Sequence, residues 1–150
     1  MTGRKNFFIW PGECHVHAGI RAEDINKMLE TYQTAELLVH PECGCTSSTL
    51  YDISSGQLLK KAHILSTEGM MKHARASGSR QFLIATETGI LHRMQKQNIS
   101  KEFIPIKKDA ICKYMKKITL EKVYNSICNN VYQVKVPNEI ADKAQLSIQR

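Results

Sequence analysis

No stretch of this 150-residue chain holds the roughly 18 to 20 consecutive apolar residues that a membrane-spanning helix needs. The opening "MTGRKNFFIWPGECHV" has too short an apolar segment for a secretory signal, so a cytoplasmic protein with no membrane partner is expected. GxSxG, P-loop and GxGxxG patterns are also missing, which removes a serine-hydrolase elbow and two common phosphate-binding loops. The five cysteines form one CxC and three distant singles rather than paired CxxC knuckles. A zinc ribbon would need such knuckles, and an odd count without an export signal argues against a disulfide framework. Thiolate chemistry or metal binding is the expectation instead. Aromatic residues make up 7% of the chain, and its +7 net charge comes from scattered basic residues with no aromatic-rich RNA signature. No nucleic-acid partner is therefore expected; an anionic metabolite would use the same charge.

What is present is the 42% hydrophobic and 23% charged composition of an ordinary globular protein. Short apolar runs alternate with amphipathic segments, the rhythm of βα units. Strands are expected at 6–10, 35–40, around "HILST" at 63–67, at 81–86, 102–106 and 131–136. Helices are expected at 22–32, where Ile25, Met28, Leu29 and Tyr32 share a face, after Thr67, over 87–98, over 119–130 and after Pro137. Thr67 and Thr119 are candidate caps. The stretch 44–63 reads as less regular, with a Thr/Ser cluster at 46–49 and a turn at Ser54 to Gly56. The fold class expected is α/β, with three-layer α/β/α units around a short, mainly parallel sheet.

In open α/β sheets, ligands gather beyond the carboxyl ends of the strands, where loops and helix N-termini meet. "WPGECHVH", "HPECGC", "LSTEG" and "ATETG" all take that position, which favours one shared site. Cys14, His17, Cys43 and Cys45 form a chemically feasible zinc set for a structural or interaction module. Widely spaced single cysteines suit an iron–sulfur cluster equally well, and spacing does not decide between the two. His40 and Glu42 alternate along a strand end, so both side chains would reach one wall of a pocket as an acid/base or hydrogen-bonding pair. Ser66 and Thr67 would either hold an anion or simply cap a helix. His15, His63, His73 and His92 have no partner that spacing identifies and are assigned to surface or packing roles. Cys128 falls near the apolar side of its helix and is expected to be a buried thiol.

"FFIWPGECHVH", "LLVHPECGC", "LSTEGM", "IATETGILHRM" and "CKYMKKITLEKVYNSI" together, in this order, resemble quinolinate synthases over nearly the whole chain. The resemblance implies a pseudo-threefold, three-domain fold around a [4Fe–4S] cluster held by three cysteines, with one iron open to act as a Lewis acid. It implies condensation of iminosuccinate with dihydroxyacetone phosphate to quinolinate in NAD biosynthesis, and a functional link to L-aspartate oxidase. By the match, Cys14 and Cys112 are cluster ligands, His40 and Glu42 contact substrate and transfer protons, and Thr67 binds a substrate carboxylate or phosphate. Residues 1–20 would end the second unit and 21–110 would form the third. Residues 111–150 would carry the cluster-ligand loop and a segment returning to the first unit.

Two departures from the family pattern bear on these expectations. The stretch from His40 to Thr67 is about ten residues longer than in commoner members, on which the Thr67 match depends. By the resemblance, the first cluster cysteine and the Tyr, Asn, His and Ser residues of the pocket would belong to a preceding half outside this sequence; Cys45, separately, is a variant feature beside the HPEC motif. The expectation is therefore the carboxyl-terminal portion of such an enzyme, from a truncated gene model or a split gene, inactive without its other half as partner.

Overall fold

A computed structural model of the chain describes residues 12–56 and 61–149. The expected strand at 6–10 lies outside the described residues. The elements in chain order are helices α1 (His15–Ala18) and α2 (Ala22–Thr31), strand β1 (Glu36–Val39), α3 (Thr46–Ser54), β2 (Ala62–Ile64) and α4 (Thr67–Ala76). They are followed by β3 (Gln81–Ala85), α5 (Ile90–Gln97), β4 (Glu102–Pro105), a 3-10 turn (Met115–Lys117), α6 (Leu120–Asn129) and α7 (Asn138–Ile148). They fall into two compact units that divide between Cys112 and Lys113.

In the first unit the four strands form one sheet in the order β2-β1-β3-β4, and every pairing is parallel. Parallel strands need crossovers on the sheet faces, so both faces are covered and the strands read as continuous apolar runs. All four residues of β1 are buried, as are four of the five in β3. Side-chain alternation splits them between two cores. Leu37, Val39, Leu83 and Ala85 pack with Ile20 and Ile25 on the α2 side. Leu38, Phe82, Ile84 and Phe103 pack with Met70, Met71, Ala74 and Met94 of α4 and α5 on the other. Each such fully buried side chain contributes roughly 1.5–3 kcal/mol of transfer free energy. The three-layer α/β/α arrangement is thus the observed one.

Local sequence explains most helix ends. At α2 the Asp24 carboxylate accepts the Arg21 backbone N–H at 2.9 Å. At α4 the cap is Ser66, whose Oγ accepts the Gly69 N–H at 3.2 Å; Thr67 is the first helical residue rather than the cap. Thr119 caps α6 as expected, accepting from the Lys122 N–H. Asn130 ends that helix in the left-handed region at φ 49°, which Asn tolerates better than most residues.

Four expectations need correction. Residues 46–54 form a helix where irregular structure was expected, because Thr49 is buried and burial outweighs the weak helix propensity of Ser and Thr. Helix α5 starts at Ile90 rather than residue 87, since Thr86 and Glu87 are buried and serve the loop above β3. Residues 131–136 are in no strand, because among the described residues no strand lies alongside to supply the ladder hydrogen bonds that a strand requires. Cys128 is exposed, not buried; the apolar face of α6, including Leu120 and Ile127, is exposed with it.

At the amino end of β1, Glu36 is buried and fully engaged. Its Oε1 accepts from Ser77 at 2.8 Å and Ser79 at 2.6 Å, and its Oε2 lies 2.7 Å from His73 Nε2. Burial alone would raise its pKa, but the hydrogen bonds from Ser79, His73 and Ser77 and the charge of His73 outweigh that and hold it at about 2. A carboxyl with a depressed folded pKa stabilises the fold above its unfolded value and loses that contribution as pH falls through the folded one. Glu36→Gln is therefore expected to cost about 3 kcal/mol of unfolding free energy at neutral pH, with the difference from the native chain shrinking between the unfolded value of 4.5 and about 2. Urea titrations across that range measure it, and a pH-independent difference would refute the linkage.

Candidate functional site

The parallel sheet places the residues following all four strands on one edge. His40 follows β1, and its N–H bonds to Ala85 O of β3 at 3.1 Å. Thr67 lies beyond β2, Thr86 and Glu87 lie beyond β3, and the loop to Cys112 follows β4. The direction in which strands are added to the sheet reverses between β1 and β3, the kind of crevice in which open α/β sheets bind ligands.

His17, at the third position of α1 and only 8% exposed, is the centre of this edge. Its Nε2 is 2.9 Å from the Thr86 hydroxyl. Its ring stacks on that of His40, centroids 4.4 Å apart and planes within 7°. Its Nδ1 faces the Glu42 carboxylate at 3.5 Å, an ion-pair distance without hydrogen-bond geometry, so this buried nitrogen has no hydrogen-bond partner among the described residues. Gly44 lets the chain pass close by: its N–H donates to His17 O at 3.0 Å, and a Cβ there would meet Ala18 O at 3.3 Å.

His40 and Glu42 do meet on one wall, though not by strand alternation. Strand β1 stops at Val39, residues 41 and 42 form a turn, and the Glu42 N–H donates to His40 Nδ1 at 3.3 Å. That bond makes Nδ1 the acceptor, so a neutral His40 carries its proton on Nε2. His17 brings the two side chains together. Sequence spacing could not single out His17 or Thr86 for this, because they are 69 positions apart; the available signal was their presence in two strand-end motifs. Thr67 is exposed beyond the strand adjacent to β1, and among the described residues its side chain makes no hydrogen bond to His17, His40, Glu42 or Thr86.

Cys14 and Cys112 are free thiols of intermediate burial, and both pack against the same core cluster. The Cys112 loop is tied to the β3 loop by Thr88 N–H to Ala110 O at 2.9 Å and Cys112 N–H to Glu87 Oε1 at 3.3 Å. Cys43 and Cys45 are different: their sulfurs are joined as a disulfide and buried in that core. A disulfide sulfur is not a thiolate ligand, so the zinc set built on these two residues is not what the structure presents. The thiol donors that remain for a metal on this unit are Cys14 and Cys112, a soft pair that fits an iron–sulfur group.

A sequence profile described as "Quinolinate synthetase A protein" matches residues 1–150. The chain belongs to this family. Similar full-length proteins are the quinolinate synthases of Thermus thermophilus, 49% identical over 149 residues and 99% of this chain, and of Pyrobaculum aerophilum, 48% identical over 149 residues. That of Mycobacterium tuberculosis is 40% identical over 151 residues. The chain spans less than half the length of these relatives: 46%, 48% and 43%. It corresponds to their carboxyl-terminal part. Family membership therefore holds along the whole chain. No helix among the described residues is long and apolar enough to cross a membrane.

Burial first, and the nearby His40 second, push the His17 pKa below 6.5, while Glu42 and Glu87 pull it up. His17 is thus held neutral and able to accept a proton near neutral pH. By NMR, the His17 ring is expected to titrate with a midpoint below 6.5, moving lower still in Glu42→Gln and higher in His40→Gln. Shifts in the opposite directions would show that these neighbours do not set its charge.

Proposed function

We propose that this chain supplies the carboxyl-terminal half of a quinolinate synthase, which condenses iminosuccinate with dihydroxyacetone phosphate to quinolinate in NAD biosynthesis. The observation that carries the reading is the shared strand-end site. Two free cysteines lie against one core beside a buried His17 that touches Thr86, His40 and Glu42, in a chain of this family.

Cys14 and Cys112 would provide two of the three sulfurs of a [4Fe–4S] cluster, and the preceding half of the enzyme the third. Such a cluster supplies an open iron that acts as a Lewis acid toward a substrate hydroxyl or carboxylate. The chain's own residues do the proton work. His17 Nε2, which faces the Thr86 hydroxyl at 2.9 Å, accepts a proton from a substrate group that takes that hydroxyl's place. Glu42 at Nδ1 then stabilises the imidazolium, the role a carboxylate plays behind a general-base histidine. His40 stacks on that ring and, with Nδ1 accepting the Glu42 N–H, would offer Nε2–H to substrate as a donor. The Thr67 hydroxyl, exposed at the first turn of α4, binds a substrate carboxylate or phosphate with the helix N-terminus behind it. The functional link to L-aspartate oxidase follows from the same reaction.

The second unit fits the reading that the segment following the cluster-ligand loop, within residues 111–150, returns to the first unit of the full-length enzyme. Leu120, Ile127, Tyr132, Val134 and Ile148 are each more than 75% exposed. Apolar residues of two helices and their linker, left uncovered together, mark a surface that another part of an assembly buries.

Anaerobic iron–sulfur reconstitution with the amino-terminal half of a family member tests the proposal. Expected are a broad cluster absorbance and quinolinate formation that need both halves, are lost in Cys14→Ser and Cys112→Ser, and persist in Cys45→Ser and Cys128→Ser. His17→Gln should keep the cluster and lower kcat by on the order of 10²-fold or more. Robust quinolinate formation by the 150-residue chain alone, or a cluster that needs Cys45, would overturn it.

A further inference from the structure

Glu36, His63 and His73 form a second convergence of ligand-type side chains, at the opposite end of the sheet from the site above. Three separate elements contribute: β1 its first residue, β2 its middle residue and α4 its seventh. The parallel register places His63 beside Leu38, on the same face of the sheet as Glu36. One ligand atom from each of the three lies within 4.8 Å of the others. The two imidazoles touch, with centroids 4.1 Å apart.

From this arrangement we propose that Glu36, His63 and His73 bind one divalent cation of the imidazole-preferring class, such as zinc, cobalt or nickel.

Four observations support the site. Two nitrogens and one carboxylate oxygen, completed by water, are a recurrent donor set for zinc and its neighbours. The carboxylate is already oriented by outer partners: Ser77 and Ser79 hold Oε1, so Oε2 is the oxygen left to face the imidazoles, as the supporting shell of a metal ligand does. Oε2 and His73 Nε2 are 2.7 Å apart, near the ~3.3 Å edge of a tetrahedron with ~2.0–2.1 Å metal–ligand bonds, so small side-chain rotations suffice. The His63 ring, half-buried, makes no hydrogen bond among the described residues, although both its ring nitrogens can form one. The arrangement without metal satisfies Glu36 and His73 and leaves His63 unused; a cation would employ all three.

The consequence is structural and reaches the other edge. A cation here ties β1, β2 and α4 together at one end, and the opposite ends of those elements carry His40 and Thr67. It would stiffen the platform from which the two site residues project, without touching substrate.

Chelator-competition titration of the metal-free 150-residue chain with Zn²⁺ tests the proposal, with circular dichroism confirming the fold of each variant. His63→Gln and His73→Gln are each expected to lose one equivalent or to weaken it at least about tenfold, whereas His17→Gln at the other edge retains it. In the native chain, Zn²⁺ is also expected to shift the ring-nitrogen resonances of His63 and His73 while leaving those of His92 in place, a readout that needs no variant. Unchanged stoichiometry and affinity in both His63→Gln and His73→Gln, or unmoved His63 and His73 resonances at saturating Zn²⁺, would overturn it.

Discussion

The parallel pairing of β1 with β2 on one side and β3 on the other is the constraint on which the first unit depends. Because the strands run the same way, every strand end of one kind falls on one edge, and the loops that follow have to assemble there. The pairing also forces crossovers onto both faces, which is why the strands are buried on both sides and why there are two cores rather than one. A rigid sheet with residues such as Leu38 and Ile84 almost wholly inaccessible sets the positions of His40, Thr86 and Glu87 more firmly than loops alone could.

On that edge the chemistry is concentrated around a single buried imidazole. His17 connects the β1 loop, through His40 and Glu42, to the β3 loop, through Thr86. Glu87 continues the connection to the Cys112 loop. Residues drawn from four stretches of sequence thus form one continuous set of contacts. The opposite edge mirrors this economy with Glu36 at its centre, satisfied by two serines and a histidine. The two ends differ in what surrounds the charged group. Glu36 accepts three hydrogen bonds and stays ionised to low pH, whereas His17 is buried beside another imidazole and stays neutral.

The second unit obeys a different logic. Helix α6 is well capped by Thr119 and carries a regular apolar stripe, yet that stripe is exposed among the described residues. Good local helix signals establish that the helix forms, not what it packs against, because propensity and capping are satisfied within one or two turns while burial needs a partner. The same distinction explains Cys128, whose position near an apolar side suggested burial, and residues 131–136, whose strand-like alternation has no neighbour to pair with among the described residues.

The sequence by itself determined the α/β class, the positions of β1, β3 and β4, the presence of helices beginning near Ala22, Thr67 and Thr119, and the motifs that mark the family. Periodicity, capping and strand-end motifs are local signals, and they survive folding unchanged. Only the tertiary structure decided that Cys43 and Cys45 bond to each other rather than to a metal, that residues 46–54 are helical, and that His17 meets Thr86. It alone brought Glu36, His63 and His73 into one cluster. Each of these depends on which distant segments the parallel register brings side by side. Register is a property of paired strands, and no window along a single chain contains it.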